Sequence, residues 1–192
     1  MAENSDQVVV GADGQVWVAE FGDAPAAPTN ATTDPNTVDA DYANLGFTSE
    51  EGATITDGKT ITDIGAWQSF YPIRSIVTAR DFMVAFMLRQ WNRDTVELAL
   101  GGTVSGSAGN WTFVPPSPAD LDLRVLILDW QDDARSYRLY IPKCLSIENV
   151  ETNLVRTSAA DLPITLKALD PGDGDDVYTL FTNDDAFGPT GS

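Results

Sequence analysis

Residues 81–88, DFMVAFML, constrain the fold more than any other stretch of the chain. In an extended chain Phe82, Val84, Phe86 and Leu88 fall on one side and Met83, Ala85 and Met87 on the other. Both faces are then apolar, so the strand is expected to be buried on both sides at the centre of a sheet. A strand over residues 73–78 and a break at Ala79 and Arg80 precede it. A short helix follows. Asn92 or Asp94 can cap it, Asp94 and Glu97 sit near the positive end of its dipole, and Val96, Ala99 and Leu100 give it one apolar side. Gly101 and Gly102 supply a left-handed stop.

The rest of the chain reads as short strands between Gly, Pro and Asp punctuation. Residues 7–10 are apolar, residues 11–14 form a turn, and residues 15–21 alternate Val16 and Val18 against Trp17, Ala19 and Phe21, which predicts a paired strand or hairpin at the N-terminus. Residues 22–40 are rich in Pro, Thr, Asp and Ala, so they cannot form a sheet interior; they read as a disordered loop or an extended functional arm. Strand character resumes at residues 53–56. Asp57 and Gly58 favour a tight turn, and residues 60–64 resume β character before a polar excursion carrying Trp67, Phe70 and Tyr71. Such aromatics anchor a loop on its own domain or contact a partner. Residues 101–110 read as a flexible loop. Residues 121–130 and 136–141 alternate about a turn at residues 131–133 and predict an antiparallel hairpin, and residues 162–168 give a further strand. Together these elements predict a single, mainly β domain over residues 1–192: an antiparallel β-sandwich or partly closed barrel with one flanking α-helix and extended arms.

Several function classes lose their usual equipment. The chain has no histidine, which removes Ser-His-Asp and Cys-His catalysis and most zinc sites. Its one cysteine, Cys144, lies in strand-like sequence and reads as a small core or interface residue. No phosphate cradle or nucleophile elbow is present, and the acids of the C-terminal tail do not follow calcium-loop order. No cofactor and no catalytic residue is expected. No apolar run approaches the ~18 residues of a membrane span, so a soluble protein made in the cytoplasm is expected, without membrane insertion.

Charge is unevenly spread. Of the net −18, residues 1–60 hold eleven acids and one base, residues 61–169 twelve acids and ten bases, and the tail 170–192 six acids and no base. That distribution opposes affinity for nucleic-acid phosphates. It suits solvation of the two ends, or a wall from which DNA is repelled over a Debye length of about 8–10 Å.

The order of AWQ, an aromatic and Pro, then IRSIVTARDFMVAFMLRQWN and VELALGG resembles the major tail protein of long-tailed, siphovirus-type bacteriophages, the subunit of the tail tube. GADGQVWVAEFGDAPAAPTNA and ANLGFTSEEGATIT look like that family's opening strand, Pro/Thr-rich arm and following segment. The resemblance is strongest over residues 8–102. It implies a structural virion protein that assembles in the host cytoplasm as hexameric rings, stacked into a tube that conducts DNA on ejection. The implied partners are further copies of the chain, a tape-measure protein, a tail terminator, distal tail or baseplate proteins, and double-stranded DNA in transient passage. It also implies a ring-stacking loop over residues 57–71, including Asp57, Lys59, Ile61, Asp63, Trp67, Phe70 and Tyr71. An inter-subunit arm would carry Pro25, Pro28, Asp34 and Pro35, and the tail would clasp neighbours. Glu148 and Glu151 are the candidates for the lumen.

Two other classes fit the residues alone. A carbohydrate-binding β-sandwich or adhesin would use Trp67, Trp111 or Trp130 as a sugar platform. A glycoside hydrolase would need two acids facing each other across a cleft, and the acids here fall mainly in turns and ends.

Overall fold

The computed structural model, which describes residues 7–117, 121–147, 149–172 and 174–188, turns the alternating stretches into antiparallel strands. In chain order they are β1 (Asp13–Glu20), the helix α1 (Pro35–Val38), β2 (Ala43–Asn44), β3 (Thr48–Ala66), β4 (Ser69–Leu88), the helix α2 (Arg93–Leu100), β5 (Thr103–Ser107), β6 (Asn110–Val114), β7 (Leu123–Asp132), β8 (Arg135–Ser146), β9 (Leu162–Ala168) and β10 (Thr179–Thr182). The main sheet runs β2-β1-β7-β8-β9-β4-β3, with β10 added along β8, and β5 and β6 form a separate hairpin.

Alternation places the core inside the curl of this sheet. Val16 and Val18 of β1, Leu126 and Leu128 of β7, Leu139 and Ile141 of β8, the buried positions of β9, and Phe82, Val84, Phe86 and Leu88 of β4 pack together around Leu98 and Ala99 of α2. Each such aliphatic side chain contributes about 1.5–3 kcal/mol on leaving water. The two ends of the sheet are drawn together by residues 45–47. Leu45 N–H donates to Val16 O at 2.9 Å on the β1 side, and Arg89 N–H donates to Phe47 O at 2.9 Å on the β4 side. The sheet is thus a partly closed barrel with a seam between β1 and the start of β3. Gly46 makes the join possible. Its φ is +77°, and a Cβ there would fall 1.5 Å from Gln90 Oε1, the atom that accepts from Phe47 N–H at 3.0 Å.

The outer face of β1, β7 and β8 is apolar as well. Trp17, Ala19, Val125 and Ile127 form a second cluster with Tyr42, and residues 24–42 lie over it. The Pro-rich segment is therefore docked on its own sheet rather than extended from it: Pro25, Pro28, Ala31 and Pro35 are buried.

Several other expectations are corrected. Asp57 and Gly58 do not turn: Gly58 pairs with Asp81 in mid-ladder, and the turn lies at Trp67 and Gln68. Residues 69–88 offer β3 a far longer partner than residues 60–64 could. No break occurs at Ala79 and Arg80; β4 is continuous and absorbs one extra residue, Thr78, as the register passes from Thr60–Ala79 to Ile61–Val77. The strand over residues 81–88 is buried on one side only, with Met87 37% exposed, because the core occupies its Phe82 side alone. The buried side of α2 is Thr95, Glu97, Leu98 and Ala99, with Leu100 exposed. Glu97 turns inward because its carboxylate accepts from Val104 N–H at 2.6 Å and from Arg93 Nε at 3.1 Å. Asn92 is the N-cap, in a reciprocal capping box with Thr95. β1 pairs with β7 and β2 rather than with residues 7–10, and residues 103–114, read in part as a loop, form the β5–β6 hairpin.

Candidate assembly surface

β3 and β4 stay paired far beyond the barrel. β9 accompanies β4 only over residues 83–88, and from Gly58 and Asp81 outward the two strands run on as a bare ribbon. At about 3.3 Å per residue the ribbon is roughly 30 Å long. An isolated two-stranded hairpin is marginal in water, and both of its edges present unpaired backbone N–H and C=O groups.

Antiparallel partners share a face, so the register sorts the ribbon. Ile55 with Val84, Asp57 with Phe82, Lys59 with Arg80, Ile61 with Val77 and Asp63 with Ser75 continue the face that lines the barrel core. Four of the residues singled out from the sequence, Asp57, Lys59, Ile61 and Asp63, therefore share one surface. Lys59 Nζ lies 3.7 Å from Asp57 Oδ2, and Ser75 Oγ donates to Asp63 Oδ1 at 2.5 Å. The other face is a threonine row, Thr54, Thr56, Thr60 and Thr62, opposite Ala85, Met83, Ala79 and Ile76. Thr62 and Thr78 hydroxyls lie 3.2 Å apart, and Thr78 donates to Thr60 O at 3.3 Å. The TITD at residues 54–57 recurs at 60–63, an even step that returns each residue type to its face. Sequence reading missed that repeat. Trp67, Phe70 and Tyr71 crown the turn, with Trp67 and Phe70 wholly exposed. Ile61, Ile73 and Val77 are each more than half exposed along the shaft.

The other expected contact residues lie elsewhere. Pro25, Pro28 and Pro35 are buried in the docked segment, while Asp34 is exposed and caps α1 by accepting from Asn36 N–H at 2.9 Å. Arg138, 2% exposed, fastens that segment: its Nη1 donates to Asn30 O at 3.0 Å and Thr33 O at 2.7 Å, while Nε and Nη2 each hold one oxygen of Asp129 at 2.7 Å. Burial raises the Asp129 carboxyl above its usual range, against the pull of Arg138. Tyr42 OH donates to Ala26 O at 3.0 Å, and burial pushes its phenol well up. The segment of tail over residues 174–188 is docked on its own sheet too. β10 pairs β8, Tyr178 stacks on Phe82 at 3.9 Å, and Tyr137 donates to Asp184. Glu151 is exposed in the connection between β8 and β9; Glu148 lies outside the described residues.

Cys144 is buried, its Sγ lies 3.2 Å from Arg124 O, and burial pushes the thiol up to about 12, which leaves it inert. The tryptophans do not gather: Trp67 crowns the ribbon, Trp111 sits on β6, and Trp130 stacks on Tyr137 at 5.4 Å. Among the described residues no helix is long and apolar enough to cross a membrane.

No curated protein matches the chain. A family model described as Phage tail tube protein spans it almost from end to end. Membership in a structural family points to a non-enzymatic component of the virion tail that associates with itself and with other tail proteins. With that match over residues 1–191, on a mainly β antiparallel fold that leaves a long ribbon without a partner of its own, the chain belongs to the phage tail tube protein family.

Proposed function

We propose that the chain polymerises as hexameric rings that stack into the tail tube and that the tube conducts DNA into the host on ejection. The observation that carries this reading is the bare ribbon of β3 and β4. Its aliphatic shaft, aromatic turn and open edges call for a second copy of the same protein. Strand pairing around a ring covers the edges. A head-to-tail contact that closes within the ring but repeats along the axis gives fixed width and open length. The ribbon residues Asp57, Lys59, Ile61, Asp63, Trp67, Phe70 and Tyr71 then serve stacking. Residues 22–40, through the exposed Asp34, and the tail contribute flanking contacts from their docked positions. The net charge of −18 suits a lumen that does not retain DNA, with Glu151 on a candidate lumenal connection. Assembly in the host cytoplasm around a tape-measure protein, between a terminator and distal tail or baseplate proteins, completes the reading.

Negative-stain electron microscopy of the concentrated protein tests it, beside a variant in which residues 60–79 are replaced by an Asn-Gly turn closing on the Lys59–Arg80 pair. Tubes from the intact chain and only rings or monomers from the shortened one are expected. Equal tubes from both would remove the ribbon from the mechanism. No ordered assembly from the intact chain at any concentration, or with tail partners co-expressed, would refute tube formation.

A further inference from the structure

The barrel does not close cleanly at its seam. Between the start of β3 and the ends of β1 and β7 lies a cleft of about 880 Å³, within the ~300–1,000 Å³ of sites that enclose a ligand. Residues 49–52 bulge out of the ladder there, since Thr48 pairs with Leu88 but Ala53 with Phe86. Phe47, Ile55 and Trp130 give the cleft apolar walls, and Asp13, Glu50 and Glu51 give it acid beside the paired Asp129; among the described residues its lining contains no lysine or arginine. Phe47, 75% exposed, lies open to an incoming group. Glu50 has a loose, exposed partner in Arg89 at 3.8 Å.

The ribbon's far end is the complement. Trp67, Phe70 and Tyr71 together carry roughly 450–750 Å² of aromatic surface, on the order of the ~800 Å² that one partner gives to a stable interface. From residue 64 to residue 79 the only charge is Arg74, which has no ion pair among the described residues. The chain's own tip cannot fill its own cleft, because that cleft is at the ribbon's root. From Ile55 to Trp67 a rise of about 3.3 Å per residue separates them by roughly 40 Å.

Resting on the tail-tube reading, we infer that the aromatic tip of one copy seats in the seam cleft of the next, with Arg74 against Asp13, Glu50 and Glu51. The contact is heterologous and cannot saturate in a dimer, so it propagates along the axis with a repeat near the distance from cleft to tip, roughly 40 Å.

The test mixes two single-cysteine additions, Trp67→Cys in one preparation and Glu51→Cys in another, under mild oxidation; the native Cys144 is buried. A disulfide-linked dimer from the mixture, absent from either preparation alone and from Trp67→Cys mixed with Ala108→Cys, is expected. In parallel, Arg74→Glu and the pair Glu50→Lys with Glu51→Lys should each raise the critical concentration for tubes at least fivefold, and combining all three should recover most of the loss. Circular dichroism of the monomers checks that these exposed substitutions leave the fold intact. Tubes from the parent chain without the mixed disulfide, and indifferent to the charge changes, overturn the cleft as receptor while leaving tube formation standing. That outcome leaves the cleft to a different occupant. Absence of tubes from the parent chain overturns both.

Discussion

Replacing Arg138 by Met keeps most of the aliphatic stem but removes a buried guanidinium that serves two masters: the Asp129 carboxylate, through two bonds of 2.7 Å, and the carbonyls of Asn30 and Thr33. Breaking a buried pair from one side costs about 3–5 kcal/mol, because the remaining charge has no compensation. The two carbonyls add less, about 1 kcal/mol each at most, since residues 30 and 33 lie at the edge of solvent and can recruit water. The expected loss is roughly 4–6 kcal/mol at pH 7, limited by release of residues 24–40 from the sheet. The pH dependence identifies the cause. In the intact protein, burial raises the Asp129 carboxyl and Arg138 opposes it; without Arg138 the folded value rises further above 3.8. A raised carboxyl contributes stability that is full below its unfolded value and lost as pH climbs through its folded value. The variant should therefore regain stability as pH falls from 7 towards 4, more steeply than the parent, and adding Asp129→Asn should recover part of the loss at pH 7. Urea unfolding followed by tryptophan fluorescence gives the energies, and limited proteolysis within residues 24–40 reports undocking. A loss below about 1 kcal/mol, with the segment as protected as in the parent, would refute the assignment of Arg138 as its fastening.

Gly46→Ala should cost about 2–3 kcal/mol, from the left-handed backbone and the displaced Gln90 bond, whereas Gly52→Ala, at φ +68° with nothing within 4 Å of a Cβ, should cost nearer 1 kcal/mol; equal shifts in Tm would show that closure of the seam does not depend on Gly46. The Cys144 thiol should resist a water-soluble thiol reagent at pH 8 in the folded protein and react fully in denaturant, and rapid native labelling would contradict its burial. Tyr137 and the N–H of Ala186 hold the Asp184 carboxyl below its usual range, so it contributes stability present above pH 3.8 and lost as pH falls through its lower folded value. Asp184→Asn should flatten the fall in Tm between pH 4 and pH 2, and an unchanged profile would place the acid sensitivity elsewhere.

Alternation was enough to find the strands that face a core. The strands predicted over residues 121–130, 136–141 and 162–168 form, the first of them shifted to Leu123–Asp132 so that the turn follows Asp132 rather than spanning residues 131–133, and Asn92 and Gly101 bound α2. Patterns that depend on a distant partner were harder to read. Asp57 and Gly58 look like a turn because local chemistry favours one, yet a ladder with residues 69–88 outweighs it. The apolar run over residues 81–88 gave no sign that Met87 faces outward, since that follows from which face of β4 meets the core that distant strands build. Composition described residues 22–40 correctly as unfit for a sheet interior. What docks them is Arg138, more than a hundred residues away, and nothing local announces it. The aromatic tip was visible as a cluster; the cleft was not, because it is made where two distant strand ends fail to meet.

The single inserted residue Thr78 sets a parity for the ribbon. Inward of it, even-numbered residues of β4 share the face of Phe82; outward of it, odd-numbered residues do, which brings Val77 and Ser75 beside Ile61 and Asp63. Were Thr78 drawn into the ladder instead of bulging out of it, the faces of the outer β4 would exchange, placing Thr78 and Ile76 where Val77 and Ser75 now stand opposite Ile61 and Asp63. The same rule governs how such a protein can change its reach in evolution. Lengthening must come in matched pairs of residues on both strands, each adding about 6.6 Å, because an odd step inverts the pattern of the tip relative to the barrel. The ribbon is in effect a ruler with one permitted graduation, and a lineage can move its tip only by whole marks.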